Sequence, residues 1–336
     1  HDGESGSLCG GQEQTTDEGG AESDNGGYKI AFSNSYVGNA WRTAAVNIFD
    51  AYTADLVEQG VLSKAYSSSA DDDVQAQINE IRNMMSEGYD AIVCIAASAT
   101  GLQSVLEEAE ERGIVVVCFD TTVDSDLVYN VNTDQFEYGR LLAQSLADRM
   151  GGEGNILWIK GIEGNRVTLD RTEGMQSVLD NYPGIKVLGD GYGKWDDSTT
   201  ASVMSNLMSA YASQGIDGIL SEGGGGHAIV ESLIEYGYDP AEVVISEGEM
   251  FNSFMKDWVE MDLDAFCTAQ PPYLAAAAVD VALKVLNGEE VEPMTYVDLP
   301  TCSSKEEAEE KWYQPDQEGG FVCDWTDNNN TWNLTI

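Results

Sequence analysis

Ala91-Ile92-Val93-Cys94-Ile95, then a polar helical stretch over 101–112, then Ile114-Val115-Val116-Val117-Cys118-Phe119 ending at Asp120, sets the architecture of the chain. Both apolar runs lack the apolar–polar alternation of a strand with one wet face. A strand with no wet face is covered on both sides, which is the setting of a parallel sheet between helical layers. The amphipathic stretch between them is long enough for the helical crossover that parallel neighbours require.

The same alternation continues outward in both directions. Toward the N-terminus, 61–66 reads as a strand and 73–87 as a helix, and before them Tyr28-Lys29-Ile30-Ala31-Phe32 leads into a helix near 39–59. Toward the C-terminus a short strand over 127–131 precedes Asp134. A second set then begins: strands over 155–160, 185–189, 216–220, 243–245 and 265–268, with helices through Arg171 toward Tyr182 and over 196–214, 228–236, 251–261 and 273–286. Two sheets of four to six strands each are of ordinary size. The predicted fold is α/β, with two similar doubly wound parallel-sheet lobes as a loose internal duplication.

Ligands of open α/β sheets bind beyond the carboxyl ends of the strands, so strand-to-helix loops are the places to look. The loop after the first strand is Ser33-Asn34-Ser35-Tyr36-Val37-Gly38-Asn39-Ala40-Trp41-Arg42. It offers hydroxyl, amide, aromatic and guanidinium groups at a helix start. Between two lobes whose strand ends face one another, a crevice is the expected ligand position.

Composition narrows the partners. The 336 residues are long for one core and suited to two lobes, and the apolar content of 42% suffices for both. Fifty-nine acidic against 16 basic residues give a net charge of −43, which repels nucleic acid and anionic lipid. No apolar run reaches the roughly eighteen residues of a membrane span. Residues 1–27 hold almost no apolar side chains and read as a disordered tether. Of six cysteines, Cys94, Cys118 and Cys267 sit in apolar strands and read as buried thiols. Cys302 and Cys323 flank a loop-rich tail and form a candidate disulfide. No cysteine or histidine spacing suits zinc, and Asp324–Asn330 lacks the glycine and terminal glutamate of a calcium loop. No metal and no cofactor are expected.

Several separated pieces, in order, resemble the ribose-binding-protein class of bacterial solute-binding proteins for sugar ABC transporters. They are Gly38-Asn39-Ala40-Trp41-Arg42, the strand ending at Asp120, Asp134 with Gly139, and Gly161-Ile162-Glu163-Gly164 with Arg171 and Gly174. Lys194-Trp195-Asp196, and Gln270 before Val285-Leu286-Asn287-Gly288, complete the set. No single piece is specific; their order and spacing carry the resemblance, which runs from about residue 28 to 300.

The resemblance implies lobes of 28–132 plus about 270–298 and of 133–269 plus about 299–336, joined by a multi-strand hinge near Asp134 and Gln270. It implies that Ser35, Asn39, Trp41, Arg42, Asp120, Arg171, Trp195, Glu249 and Gln270 face the ligand. Glu222, Glu247 and Gly223 are further candidates. The chemistry fits a sugar: aromatic rings cover apolar C–H faces, while carboxylates and guanidinium groups bind hydroxyls in pairs. Plainer alternatives stand beside these: Trp41 as a core aromatic, Asp120 as a turn residue, and Arg171 paired on its own helix with Asp170 or Glu173. Arg42, Thr121 and Gly223 replace an aromatic, an arginine and an asparagine of the ribose binders. The resemblance therefore points to the class and away from ribose itself.

The glycine run Gly223-Gly224-Gly225-Gly226 lacks the lysine and serine or threonine of a phosphate loop, and it reads as a close backbone approach or a plain turn. Cys9-Gly10-Gly11 ahead of the tether resembles the mature start of a bacterial lipoprotein, with Cys9 as the acylation site. The expected protein is therefore a monomeric, extracytoplasmic receptor, anchored at the cell surface or periplasmic. It hands a monosaccharide or polyol to an ABC permease. A sensor presenting the same ligand to a membrane kinase is the nearest alternative. A glycoside hydrolase using Asp120 with Glu249 is the remote one. A repressor would need a DNA-binding helix pair that 1–27 cannot supply.

Overall fold

A computed structural model describes residues 21–23 and 25–323; Cys9 and the 324–336 tail lie outside them. In chain order the first set of elements is β1 (Tyr28–Asn34), α1 (Ala40–Glu58), β2 (Leu62–Ser69), α2 (Val74–Ser86), β3 (Ala91–Ile95), α3 (Gln103–Glu111), β4 (Val115–Phe119) and β5 (Tyr129–Asn132). The second is α4 (Gln135–Arg149), β6 (Glu153–Lys160), α5 (Arg166–Leu179), β7 (Gly184–Tyr192), α6 (Asp197–Tyr211) and β8 (Gly218–Ser221), then α7 (Gly226–Glu235), β9 (Val244–Gly248), α8 (Asn252–Met261) and β10 (Ala265–Thr268). The chain then returns through α9 (Leu274–Leu286), β11 (Met294–Tyr296) and β12 (Thr301–Cys302).

The uninterrupted apolar strands are buried on both faces, as their composition requires. Along β3 and β4, Ala91, Val93, Ile95, Val117 and Phe119 join the core that includes α1 and α9. The intervening Ile92, Cys94, Val116 and Cys118 join the core under α2 and α3. The second sheet divides its side chains in the same way. Leu157, Ile159, Ile219 and Ile245 face α6, α7 and α8, whereas Ile156, Trp158, Leu220 and Val244 face α4 and α5.

Strand order is β11-β5-β4-β3-β1-β2 in one six-stranded sheet and β12-β10-β9-β8-β6-β7 in the other. All pairings are parallel except β10 with β12. In each sheet the order reverses beside the lobe's first strand: β1 lies between β2 and β3, and β6 between β7 and β8. These reversals are the switch points where ligand crevices open.

The chain passes between the sheets at three places: Thr133–Asp134 between β5 and α4, 269–273 between β10 and α9, and 297–300 between β11 and β12. The crossings are bonded to one another. Val297 N–H donates to Asn132 O (2.8 Å), Thr268 Oγ1 to Pro300 O (2.9 Å), and the Tyr273 hydroxyl to Asp298 O (2.9 Å).

Three elements and two other features depart from the sequence expectation. Helix α4 contains Gly139 in its interior, which weakens a helical pattern by ~1 kcal/mol against alanine, and its packing against α5 restores it. Strands β11 and β12 are too short to carry a period. Residues 21–23 and 25–27, expected in the tether, lie along β2. Ala65 N–H donates to Ala21 O (2.8 Å) and Ser23 N–H to Ser63 O (2.6 Å), and Asn25 Nδ2 donates to Leu62 O (2.8 Å). A polar segment held by backbone pairing to a sheet edge leaves no apolar signature. The Cys302–Cys323 disulfide is not formed. Cys302 is a buried thiol on β12, opposite Cys267 of β10, and it donates to Ser304 O (3.6 Å). The Cys323 thiol donates to Asn252 Oδ1 instead (3.7 Å).

Candidate functional site

At the first switch point β1 delivers Asn34 and the buried Ser35 to its carboxyl end. Asn39 caps α1, its Oδ1 accepting from Arg42 N–H at 2.9 Å, and this cap sets Trp41 and Arg42 in the first turn. The Arg42 guanidinium then folds back over the strand end. Its Nη1 donates to Ser35 Oγ (2.9 Å) and Asn34 Oδ1 (3.0 Å), and its Nη2 lies 3.9 Å from Asp120 Oδ2. Trp41 packs part of its ring on the first core and donates its indole N–H to Gln270 O (2.8 Å). It is thus both a core aromatic and a group at the crossing.

Asp120, Trp195 and Glu249 all adopt left-handed backbone, with φ of 63°, 56° and 65°. This conformation is costly for a residue with a Cβ and collects at functional sites. Among the described non-glycine residues only Asp72, Lys194 and Asp262 share it without being site candidates.

At the second switch point α5 sets Arg171 against α4. The two helices cross so closely that a Cβ on Gly139 would fall 1.9 Å from Arg171 O, and one on Gly174 2.0 Å from Phe136 O. That approach places the Arg171 guanidinium carbon 3.6 Å from the centre of the Tyr138 ring. Arg171 Nε donates to Gln135 Oε1 (2.8 Å). Its Nη1 and Nη2 lie 3.6 Å from Glu222 Oε1 and from Glu249 Oε1. The same-helix pairing with Asp170 or Glu173 is not made: Asp170 pairs with Arg166 (2.9 Å).

The three glutamates at the ends of β8 and β9 have different duties. Glu222 is buried and accepts from Gly161 N–H (2.7 Å), Trp195 Nε1 (2.9 Å) and Thr168 Oγ1 (3.3 Å); it fixes the loops that carry the site. Glu247 is buried beneath, accepting from Ser221 Oγ at 2.8 Å, and burial pushes its carboxyl well up. Glu249 keeps 13% of its side chain exposed and accepts from the Tyr138 hydroxyl at 3.1 Å. Burial pushes it up to about 7 against the pull of Arg171 and Tyr138. Burial works against the charge on Arg171, yet Tyr138, Glu249, Glu222 and Asp120 together raise its pKa above the ordinary arginine value. Asp120 belongs to the first lobe, so its charge reaches Arg171 and Glu249 of the second.

Gln270 is the central group of the crossings. Its Nε2 donates to Asn132 Oδ1 (2.7 Å) and Asp120 Oδ1 (3.0 Å), and its Oε1 accepts from Thr133 Oγ1 and from Gln135 Nε2 (3.3 Å). Asp134 stands in the β5–α4 crossing and caps α4, accepting from Glu137 N–H (3.1 Å). Gly223 resolves as a close approach of chain to chain: at φ 134° its Cα faces the Gly248 carbonyl, and a Cβ would lie 2.7 Å from it. His227, the one histidine among the described residues, is committed to Asp257 (2.6 Å) and Glu231 (3.1 Å). Among the described residues no cluster of histidine, cysteine and carboxylate is arranged to hold a metal, and no helix is long and apolar enough to cross a membrane.

Sequence reasoning missed Gln135 and Tyr138, which touch Arg171 from the unpredicted α4. It missed Asn34 as a partner of Arg42. Their proximity to Asp134 and Ser35 was the only available signal.

With two doubly wound lobes, three crossings and polar groups at both switch points, the class is that of two-lobed binding proteins. The family described as periplasmic binding protein domain matches residues 30–290, and the chain belongs to it; the resemblance to the ribose-binding-protein class holds. The xylitol-binding protein of Mycolicibacterium smegmatis is 30% identical over 183 residues, 54% of this chain and 52% of the relative. The multiple sugar-binding periplasmic receptor ChvE of Rhizobium radiobacter is 31% identical over 190 residues, 50% of this chain and 53% of the relative. The chain spans about half the length of these curated relatives. In fold it matches an ABC transporter solute binding protein from Thermobispora bispora with a TM-score of 0.71 and 20% identity, over 89% of this chain and 91% of the other.

Proposed function

We propose that this chain is the extracytoplasmic solute-binding component of an ABC importer, and that it takes a neutral monosaccharide or polyol between its lobes. The observation that carries the reading is the pairing of charge at the two strand ends. Arg42 faces Asp120, and Arg171 faces Glu222 and Glu249. Each guanidinium already has its counter-charge, so the site offers N–H donors and carboxylate acceptors without net positive charge. Such a set suits vicinal hydroxyls and not an anion. Trp41 and Trp195 supply apolar surface for C–H faces. Ser35, Asn39 and Gln270 complete the ligand-facing groups, and Glu222 and Gly223 hold the loops behind them.

The family and the names of the relatives, one binding xylitol and one multiple sugars, support the same class of ligand. Closure is by rotation about the three crossings at Asp134, Gln270 and 297–300, since a ligand that touches both lobes favours the closed arrangement. A monomer delivering to a membrane permease, with Cys9 as lipid attachment point, completes the reading. No hydrolase is proposed. Calorimetric titration with D-xylose, L-arabinose, D-glucose, D-galactose and xylitol tests it: at least one should bind at micromolar Kd or better. Binding of D-glucuronate or D-ribose 5-phosphate in preference to all neutral probes would overturn the assignment.

A further inference from the structure

We propose that Gln135 is the positioning residue for Arg171, and that with Gln270 it forms a directed hydrogen-bond relay joining Asp120 of the first lobe to Arg171 of the second through the crossings. The proposal deepens the binding reading above and rests on it for its consequence for affinity.

The two ends of the relay fix its direction. A carboxylate can only accept, and a guanidinium can only donate. Gln270 gives Asp120 its amide N–H, and Asn132 Oδ1 takes another. The orientation of Asn132 is itself set, because its Oδ1 accepts from Thr133 N–H (2.9 Å) and its Nδ2 donates to Asp120 O (3.1 Å). Gln270 therefore turns its carbonyl toward Gln135 Nε2. Gln135 must then turn its own carbonyl the other way, where Arg171 Nε donates to it at 2.8 Å. Both ends demand the same head-to-tail order of the two amides, and only a side chain with a donor on one side and an acceptor on the other fits position 135.

The covalent placement gives the relay its consequence. Gln135 opens α4 immediately after the β5 crossing, and Gln270 lies in the β10–α9 crossing. The relay therefore spans two of the strands about which the lobes turn. Arg171 has its face over Tyr138 and its Nε on Gln135, so its two outer nitrogens are aimed past Glu222 and Glu249 with little rotamer freedom. Ordering that guanidinium before the ligand arrives is preorganisation, which removes an entropic cost from binding.

The discriminating substitution is Gln135→Glu. It is nearly isosteric and adds a charge beside Arg171, so a residue that merely neighboured the arginine would keep or improve binding. In a relay it sets a carboxylate oxygen against the Gln270 carbonyl, and turning Gln270 would set that carbonyl against Asp120. Gln135→Met removes both relay hydrogen bonds at similar volume, together with the longer one from Nε2 to Thr133 Oγ1 (3.5 Å). For whichever of the five neutral probes the wild type binds, both variants are expected to weaken affinity about tenfold or more, with cooperative unfolding retained. A Gln135→Glu variant that binds as tightly as wild type overturns the proposal. A readout without ligand separates its failure from failure of the sugar reading: hydrogen exchange at Arg171 Nε–H, followed by NMR. If wild type binds no probe, protection in wild type with fast exchange in Gln135→Met still supports the relay. Unchanged exchange in Gln135→Met overturns it.

Discussion

Arg171 stands over the ring of Tyr138, its guanidinium carbon 3.6 Å from the ring centre, while the same tyrosine's hydroxyl donates to Glu249 Oε1 (3.1 Å) and Glu222 O (2.9 Å). One side chain from α4 thus carries a cation on its face and a carboxylate at its tip. The two opposite charges are held side by side without collapsing into a short ion pair: the nearest Arg171–Glu249 approach is 3.6 Å.

Tyrosine at 138 can be divided into these two functions. Tyr138→Phe keeps the face and removes the hydroxyl, and it should cost about 1–2 kcal/mol of stability from the lost buried hydrogen bonds. Tyr138→Leu removes the face as well, and it should cost at least a further ~1 kcal/mol through the lost cation–π contact. Urea unfolding of both variants measures the difference. Equal stabilities would mean that the ring face does not hold Arg171.

The helix crossing beneath that pair depends on the absence of a Cβ at 139. Gly139→Ala would place a methyl 1.9 Å from Arg171 O, and neither backbone can yield without separating α4 from α5. Overpacking of this kind costs roughly 1–3 kcal/mol. It also moves Arg171 off Tyr138, so sugar affinity should fall in parallel with the melting temperature. An alanine variant that kept wild-type stability would show that the helices do not approach so closely.

The sequence carried the layered fold because its strands are buried on both faces, and a run such as Val115–Phe119 has no other use for five consecutive apolar residues. Asp120 was legible as the end of an apolar strand, whereas Arg171, inside α5, and Trp195 came from the resemblance to the ribose-binding-protein class and not from any spacing. The sequence did not carry Gln135 or Tyr138. Both lie in α4, whose helical pattern is interrupted by the glycine that lets it touch α5, and their importance comes from tertiary contact with Arg171. Residue type alone does not separate Glu222 from Glu249, two carboxylates at equivalent strand ends whose order came from the resemblance, because their duties differ by which donors surround them. The cysteines failed for a similar reason: sequence proximity suggested Cys302 with Cys323, whereas strand pairing sets Cys302 against Cys267.

Glu249 makes stability depend on pH. Burial raises its carboxyl from the ordinary 4.5 to about 7, so the folded state holds this proton more tightly than the unfolded chain. The contribution is fully present below about pH 4.5 and is lost as pH rises through 7. Burial shifts Glu247 in the same direction, so both groups should make the protein less stable at pH 8 than at pH 5.5. Glu249→Gln holds the neutral form at every pH and should flatten part of that fall, leaving the share due to Glu247. Thermal melts across pH 5–8 test this, and identical pH slopes for wild type and variant would remove Glu249 from the account.

The left-handed backbone at Asp120 allows its strain to be separated from its chemistry. Its carboxylate is 26% exposed, and both neighbours keep other partners without it: Gln270 Nε2 retains Asn132, and Arg42 retains Ser35 and Asn34. Asp120→Ala should therefore lose the ligand without losing the fold. Asp120→Gly should lose the ligand equally, yet be more stable than the alanine variant by ~1 kcal/mol, because glycine alone takes a φ of 63° without a Cβ penalty. Asp120→Asn keeps a short polar side chain that tolerates this backbone and preserves an acceptor for Gln270. It should fold like wild type and bind about ten- to a hundredfold more weakly, the loss expected when a charge-assisted hydrogen bond becomes a neutral one. Unfolding curves and calorimetric titration of the three variants give both quantities. If alanine and glycine prove equally stable, the backbone at 120 is unstrained and the residue is held there for its side chain alone.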